Sequence, residues 1–274
     1  MRLRVLTYNI HRAIGVDRRF RPARIVEILR HHDPDVVLLQ EVDEGVPRSR
    51  EMDLGRALAG ALHYPYVAVG HNVTLRKGRY GNATLSRFPI LRERNIDLTI
   101  GQRKRRGCQH TSLQPAPGGP ALEVFNLHLG LSARERAQQV ELLVRCSEFA
   151  TMALEGPCLV GGDFNDWRSL LRPVFTGGLG FHCATDRRTG AHLPINTYPA
   201  FSPRGGLDRV YYRGLRCAAA HRCRLAVSRL ASDHLPVVID FQLAAVPAAA
   251  PPPPVQKHAL ERAEEALAEL VESG

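Results

Sequence analysis

Paired cysteines are missing from this chain. Its six cysteines, at 108, 146, 158, 183, 217 and 223, form no CxxC pair and show no zinc-like spacing, which argues against a structural zinc site or a redox motif. No apolar run approaches the roughly 20 residues needed to cross a bilayer. The opening stretch, MRLRVLTYNI, alternates as a strand does and lacks the apolar segment and small-residue cleavage site of a signal peptide. These absences lead to the expectation of a cytoplasmic protein whose thiols are reduced and fill space in the core. Aromatics are scarce, at 6% with one tryptophan, Trp167, so stacking platforms for single-stranded nucleic acid are few. No internal repeat is visible.

What is present is ordinary globular material, 274 residues of which 44% are hydrophobic and 23% charged. That suffices for one large α/β domain or two small ones. The charge is lopsided: 37 Lys plus Arg against 27 Asp plus Glu, a net +10. Residues 256–274 are acidic, at −3, which leaves +13 on the rest. Such a body attracts polyanions: nucleic acid, anionic lipid head groups or phosphorylated small molecules. An Arg-rich composition without any polyanionic ligand gives the same number.

Short apolar runs at 3–8, 35–39, 121–129, 157–160, 207–212 and 235–243 predict strands. Helical spacing recurs at 22–32, where Pro22 suits a first helical position, at 49–62, and from Ser132 to about 154. Ser132 and Glu135 have the spacing of a capping box. Strands interleaved with helices predict a single α/β or α+β domain over 1–243. The Pro/Ala run AAVPAAAPPPPV marks a linker at 244–255. Beyond it, 256–274 predicts an amphipathic helix with Leu260, Ala263, Leu267 and Leu270 on one stripe. A helix that short is marginal alone in water, so it is expected to pack on the body or on a partner.

Polar residues gather where the strands end. Asn9 follows LTY, Glu41 lies in LLQEV and His128 in NLHLG. LVGGDFND carries Asp163 and Asn165, GLDRVYY carries Asp208, and SDHLPV carries Asp233 and His234. Each has an ordinary explanation, as a turn or cap residue, a surface ion pair or a hydrogen-bonded core histidine. Together they sit where loops on a rigid scaffold supply catalytic groups. In LVGGDFND the glycines are expected to permit a tight strand exit and to leave room for a ligand.

In this order, the blocks YNIH, LQEV, GNATLSRFPI, NLHLG, GGDFND, LDRVYY and SDHLPV resemble the endonuclease/exonuclease/phosphatase superfamily, over residues 1–243. The resemblance implies a four-layer sandwich, two packed mixed β-sheets flanked by helices. It also implies a metal-dependent phosphoesterase with its site at one end of the sheets. Carried over residue by residue, Glu41 would be the principal metal ligand, with Asn9 and Asp233 assisting. Asp163 and Asn165 would handle the nucleophilic water and a phosphate oxygen. Asp208 would orient and charge His234, and His128 would be the second active-site histidine. Asn82, in GNATLSRFPI, would be a substrate-side amide.

The chemistry asks for such a set on its own terms. An anionic phosphodiester repels hydroxide, so a site must neutralise it and stabilise the departing oxygen. Oxygen donors without cysteine suit Mg²⁺ or Mn²⁺. In GQRKRRG, 101–107, Arg106 is the candidate contact to a phosphate backbone; a solvated loop is the other reading of that run. The expected activity is hydrolysis of a phosphodiester, nucleic acid before lipid or small phosphoester. An inactive relative that only binds polyanions is the alternative outside catalysis.

Overall fold

Residues alternate between two faces along each strand, and that parity sorts this chain into layers. The computed structural model describes residues 1–152, 156–187, 193–243 and 257–272. In chain order its strands are β1 (Arg2–Asn9), β2 (Val36–Glu44), β3 (Tyr66–Thr74), β4 (Arg79–Ser86), β5 (Ile90–Asp97) and β6 (Gly107–Leu113). They continue with β7 (Leu122–His128), β8 (Cys158–Asp163), β9 (His182–Cys183), β10 (Asp208–Arg213), β11 (Arg216–Arg222) and β12 (Val237–Gln242). They form two six-stranded sheets, ordered β11-β12-β1-β2-β4-β3 and β5-β6-β7-β8-β10-β9. The pairs β1–β2 and β7–β8 are parallel and the remaining neighbours antiparallel, so both sheets are mixed, as the resemblance implied.

The helices are α1 (Pro22–His32), α2 (Leu54–Leu62), α3 (Ala133–Arg145), α4 (Ser147–Ala150), α5 (Ser228–Ala231) and α6 (Lys257–Glu272). Between the sheets lie Leu3, Val5, Val36 and Leu38 from one side and Leu122, Val124, Leu159 and Val210 from the other. The alternate residues Leu6, Tyr8, Val37 and Leu39 face α1 and α2. Phe125, Leu127 and Val160 face α3 and α6. Apolar burial on both faces of both sheets, at about 25 cal/mol per Å², explains a helix–sheet–sheet–helix order.

Two helices differ from their expected spans. The stretch 49–62 becomes a short 3₁₀ turn at Pro47–Ser49 and then α2, because the Asp53 carboxylate accepts from Arg56 N and caps the helix there. The run from Ser132 breaks at Cys146, whose extended backbone (φ −67°, ψ 150°) separates α3 from α4. Ser132 Oγ accepts from Glu135 N at 3.2 Å. The Glu135 carboxylate instead meets Gln139 and Arg103, so the reciprocal arm of the capping box is not made.

α6 contributes Ala263 and Leu267 to the cluster that holds Phe175, Leu143 and Val144, and Glu264 pairs with Arg145. Gly178 makes this possible, since a Cβ there would lie 3.3 Å from the Ala263 Cβ. The linker expected at 244–255 lies outside the described residues.

The layer between the sheets changes character along its length. Past the apolar rows come Thr7, Gln40, Thr84, Gln109 and Asn126, all buried. Gln40 Nε2 donates to Asn126 Oδ1 at 2.8 Å, and Asn126 Nδ2 donates to Leu39 O and Ala83 O. This polar seam ties one sheet to the other and floors the site above it.

Candidate active site

Register places the site. His128 on β7 is paired with Asp163 on β8, and Asp163 with Asp208 on β10, so three candidate side chains stand in one row on the inner face. The opposite sheet brings Asn9 at the end of β1, whose Nδ2 donates to Asp163 Oδ2 at 3.0 Å. A bulge in β2 supplies the next group. Leu39 faces Ala83 and Val42 faces Gly81, so Gln40 and Glu41 together oppose Asn82. Glu41 there adopts a left-handed φ of 58°, and the extra residue turns its carboxylate toward the site while Gln40 stays in the seam.

Asp163 is buried to 1% exposure. Its Oδ1 accepts from Asn165 N at 3.0 Å, and Asn165 Nδ2 donates to Leu129 O at 2.9 Å. Asn165 therefore holds the Asp163 loop in place with a left-handed φ of 50°. Burial first, and the neighbouring Asp208 charge, push the Asp163 carboxyl up to about 6, against the lowering effect of His234 and of the Asn9 bond.

His234 Nδ1 lies 2.9 Å from Asp208 Oδ2, and its Nε2 lies 3.6 Å from Asp163 Oδ2. Thr197 Oγ1 donates to the same Asp208 oxygen. Burial disfavours the imidazolium, but the Asp208 and Asp163 charges outweigh it and raise His234 to about 10. His128 is the opposite case. Its Nε2 is 3.5 Å from Asp163 Oδ2, yet burial first, then the charges of Arg106, His234, Lys104 and Arg12, hold it well below 6.5. Two histidines flank one carboxylate, one cationic and one neutral.

The remaining expected residues are close by, in different postures. Asp233 is half-buried, its Oδ1 near Ser232 Oγ, whose hydroxyl also donates to Asn9 O. Asn82 is buried with its Nδ2 given to Gly107 O and Asn126 O. In GQRKRRG, residues 101–105 are exposed while Arg106 is tucked in, near enough to His128 to lower its pKa.

The two glycines of LVGGDFND are explained by packing rather than by room for a ligand. A Cβ on Gly161 would meet Leu38 Cδ1 of the facing sheet at 2.9 Å. One on Gly162, where φ is +138°, would meet Leu127 O of β7 at 1.9 Å.

Several contributors were not foreseen. Arg12 Nε lies 3.4 Å from Glu41 Oε2, presented by three consecutive non-glycine residues, His11, Arg12 and Ala13, at φ 45°, 61° and 56°. Left-handed backbone at such residues is a strained conformation that tends to cluster at functional sites. Tyr198 packs on His234 with ring centroids 4.9 Å apart, and Trp167 packs on Tyr198. The block YNIH pointed to the neighbourhood of Arg12, but not to the carboxylate it serves.

A divalent cation suits the donors on the Asn9 side. Glu41 and Asp233 offer carboxylate oxygens and Asn9 an amide oxygen, which accepts from His11 N at 3.0 Å. Glu41 Oε2 is buried without a hydrogen bond, with the Arg12 guanidinium 3.4 Å away. Asp163, Asp208 and His234 also bring ligand atoms within 4.8 Å of one another. There, however, the His234 Nδ1 proton is committed to Asp208, and a protonated imidazole has no lone pair for a metal.

The sequence profile described as the Endonuclease/Exonuclease/phosphatase family matches residues 6–234. The chain is 31% identical over 250 residues to the Uncharacterized protein YbhP of Escherichia coli (strain K12), covering 88% of this chain and 96% of that protein. Among solved structures, an endonuclease/exonuclease/phosphatase from Beutenbergia cavernae aligns at a TM-score of 0.71 and 24% identity, over 91% of this chain and 74% of that one. ANGEL2, described as a 2′,3′-cyclic phosphatase in complex with adenosine-2′,3′-vanadate, aligns at 0.68 and 19% over 89% and 96%. D. rerio TDP2, complexed with single-strand DNA product, aligns at 0.69 and 17% over 88% and 99%.

Proposed function

The chain belongs to the Endonuclease/Exonuclease/phosphatase family, and from that premise we propose that it is a divalent-metal-dependent phosphoesterase whose Asp163 activates water for in-line attack on phosphorus. The carrying observation is the pair of unlike neighbours on one carboxylate: Asp163 raised to about 6 beside His234 raised to about 10. Near neutral pH the first is ionised and able to take a proton, while the second carries positive charge toward a phosphate. Water attacks phosphorus opposite the leaving oxygen, and one of its protons passes to Asp163. The P–O bond to the leaving oxygen breaks, and that oxygen takes up a proton from solvent. His234, held by Asp208, which Thr197 holds in turn, balances the charge that builds on the phosphoryl oxygens. Neutral His128 serves as a hydrogen-bond partner to the phosphate or the departing oxygen. Arg106 borders the substrate side, while Asn82, its amide N–H groups committed to Gly107 O and Asn126 O, supports the floor beneath it.

Glu41, Asn9 and Asp233 would hold Mg²⁺ or Mn²⁺, which when bound supplies Lewis-acid polarisation of a phosphoryl oxygen. Nucleic acid is the substrate class the charge favours, given the +13 carried outside residues 256–274. That ANGEL2 is described as a 2′,3′-cyclic phosphatase and TDP2 is seen with a DNA product supports a nucleotide ester. A second reading, a phospholipid phosphodiesterase, draws on exposed Leu131 and Phe201 in loops beside the site, at 76% and 70% exposure. No described helix is long and apolar enough to cross a membrane. All six cysteines are free, which supports a cytoplasmic setting.

The test is hydrolysis by purified protein with Mg²⁺ or Mn²⁺ of supercoiled DNA, abasic duplex, single-stranded RNA, phosphatidyl lipids and soluble phosphomonoesters. Activity on nucleic acid that EDTA abolishes is expected. Activity on the lipids alone selects the second reading. Silence across the panel from a protein that binds no metal overturns both and leaves a polyanion-binding relative.

A further inference from the structure

A cavity of about 330 Å³ opens between the end of β11 and the segment before β10, with Arg187, Asn196, His221, Arg222 and Arg224 in its wall. It carries no carboxylate. Arg222 is half-buried, anchored by its Nη1 donating to Asn196 O at 3.0 Å, while Arg187 and Arg224 are exposed. Among the described residues, none of the three arginines forms an ion pair. Elsewhere the chain matches such groups: Arg4 with Asp240, Arg24 with Asp17, Arg48 with Asp43, and Arg209 with Asp186. The charges that act most on Arg222 are instead of one sign. Burial first, then Arg187, Arg224 and Arg229, lower its pKa. Guanidinium groups gathered around a concave space repel one another unless an anion enters, and their planar forks match phosphate oxygens.

The cavity is joined to the catalytic groups through its walls. Asn196 immediately precedes Thr197, which holds Asp208. Cys223, between Arg222 and Arg224, donates its N–H to Pro236 O, two residues past His234. A phosphate in the cavity and one at the catalytic row would thus lie side by side along one end of the sheets.

We propose that this cavity is a second phosphate subsite, in which Arg187, Arg222 and Arg224 grip a phosphate of the substrate other than the one that reacts. The occupant is a phosphate of a polyanionic strand, so the subsite selects nucleic acid over esters with a single phosphate. Its role as a substrate subsite rests on the phosphoesterase reading; its capacity to bind an anion does not.

The experiment is a calorimetric titration of the full chain with inorganic pyrophosphate at low salt. Wild type is compared with Arg187→Glu/Arg224→Glu and with Arg76→Glu/Lys77→Glu, an equal charge change on the turn between β3 and β4, at the opposite edge of the sheet. The expected result is one bound equivalent fewer in the first variant and no loss in the second. Equal stoichiometry in wild type and the cavity variant, or an equal loss in both variants, overturns the proposal. If the charge reversal lowers Tm enough to unfold the protein, Arg187→Gln/Arg224→Gln carries the same expectation. No turnover enters this titration. A chain that hydrolyses nothing but loses one pyrophosphate only in the cavity variant would sink the hydrolase reading and keep the subsite.

Discussion

Asn9 and Asp163 lie 154 residues apart in sequence and are joined by a 3.0 Å hydrogen bond that crosses from one sheet to the other. The bond favours the ionised carboxylate, opposing the burial that raises it. Replacing Asn9 with Ala should therefore push Asp163 further up. We expect the acidic limb of the pH–rate profile to move to higher pH in Asn9→Ala, with a lower plateau. An unmoved limb would show that Asp163 is not the group titrating there.

The wild-type profile itself follows from the two neighbours. Activity should rise as Asp163 loses its proton near pH 6 and fall as His234 loses its own near pH 10. Asp208→Asn removes a carboxylate that raises His234, so the alkaline limb should move to lower pH. Initial rates from pH 4.5 to 10.5, on whichever substrate of the panel is turned over, check both limbs.

Asn126 is a stability residue rather than a catalytic one. Its carboxamide satisfies Leu39 O, Ala83 O and Gln40 Nε2 inside the seam. Asn126→Ala leaves buried polar groups unpaired, each at about 1–3 kcal/mol. We expect a fall of about 3 kcal/mol or more in unfolding free energy, read from the urea midpoint.

His32 sets a pH window of stability far from the site. Burial first, then the charges of His31, His221 and Arg4, hold it at about 4 against an ordinary 6.5. Below 6.5 the unfolded chain takes up a proton that the folded chain refuses. Its stabilising contribution is thus complete above 6.5 and is lost as pH falls from 6.5 toward 4, by at most about 1.4 kcal/mol per pH unit. His32→Gln should flatten that fall in thermal melts at pH 4 to 7.

Much of this was legible because the expected strands at 3–8, 121–129 and 207–212 are short apolar runs that end in or carry unusual polar residues. Between 66 and 113 no strand was expected, and two of the four found there, β5 and β6, were hidden for a physical reason. β6, GCQHTSL, is wholly buried yet polar, because it borders the seam where hydrogen bonds replace apolar packing. β5 is almost wholly exposed, so neither strand shows the alternation that marks a half-buried one. The bulge at Glu41, the pairing of Arg12 with Glu41 and the arginines around Asn196 depend on register between distant segments. No local pattern encodes those. The glycines of LVGGDFND were expected where a side chain would clash, and they do clear Leu38 and Leu127 O; the expected room for a ligand is not what requires them.

The central claim is that Asp163 takes the proton from the attacking water, and Asp163→Asn tests it most directly. The substitution is nearly isosteric, but its NH2 replaces an oxygen that accepts from Asn9 Nδ2 or Asn165 N, so folding of the variant is checked alongside its rate. With Mg²⁺ or Mn²⁺ at neutral pH, we predict a fall in kcat of about 10²–10⁴ in a protein that is folded by circular dichroism. A folded Asp163→Asn variant that keeps its rate within threefold of wild type would contradict the account.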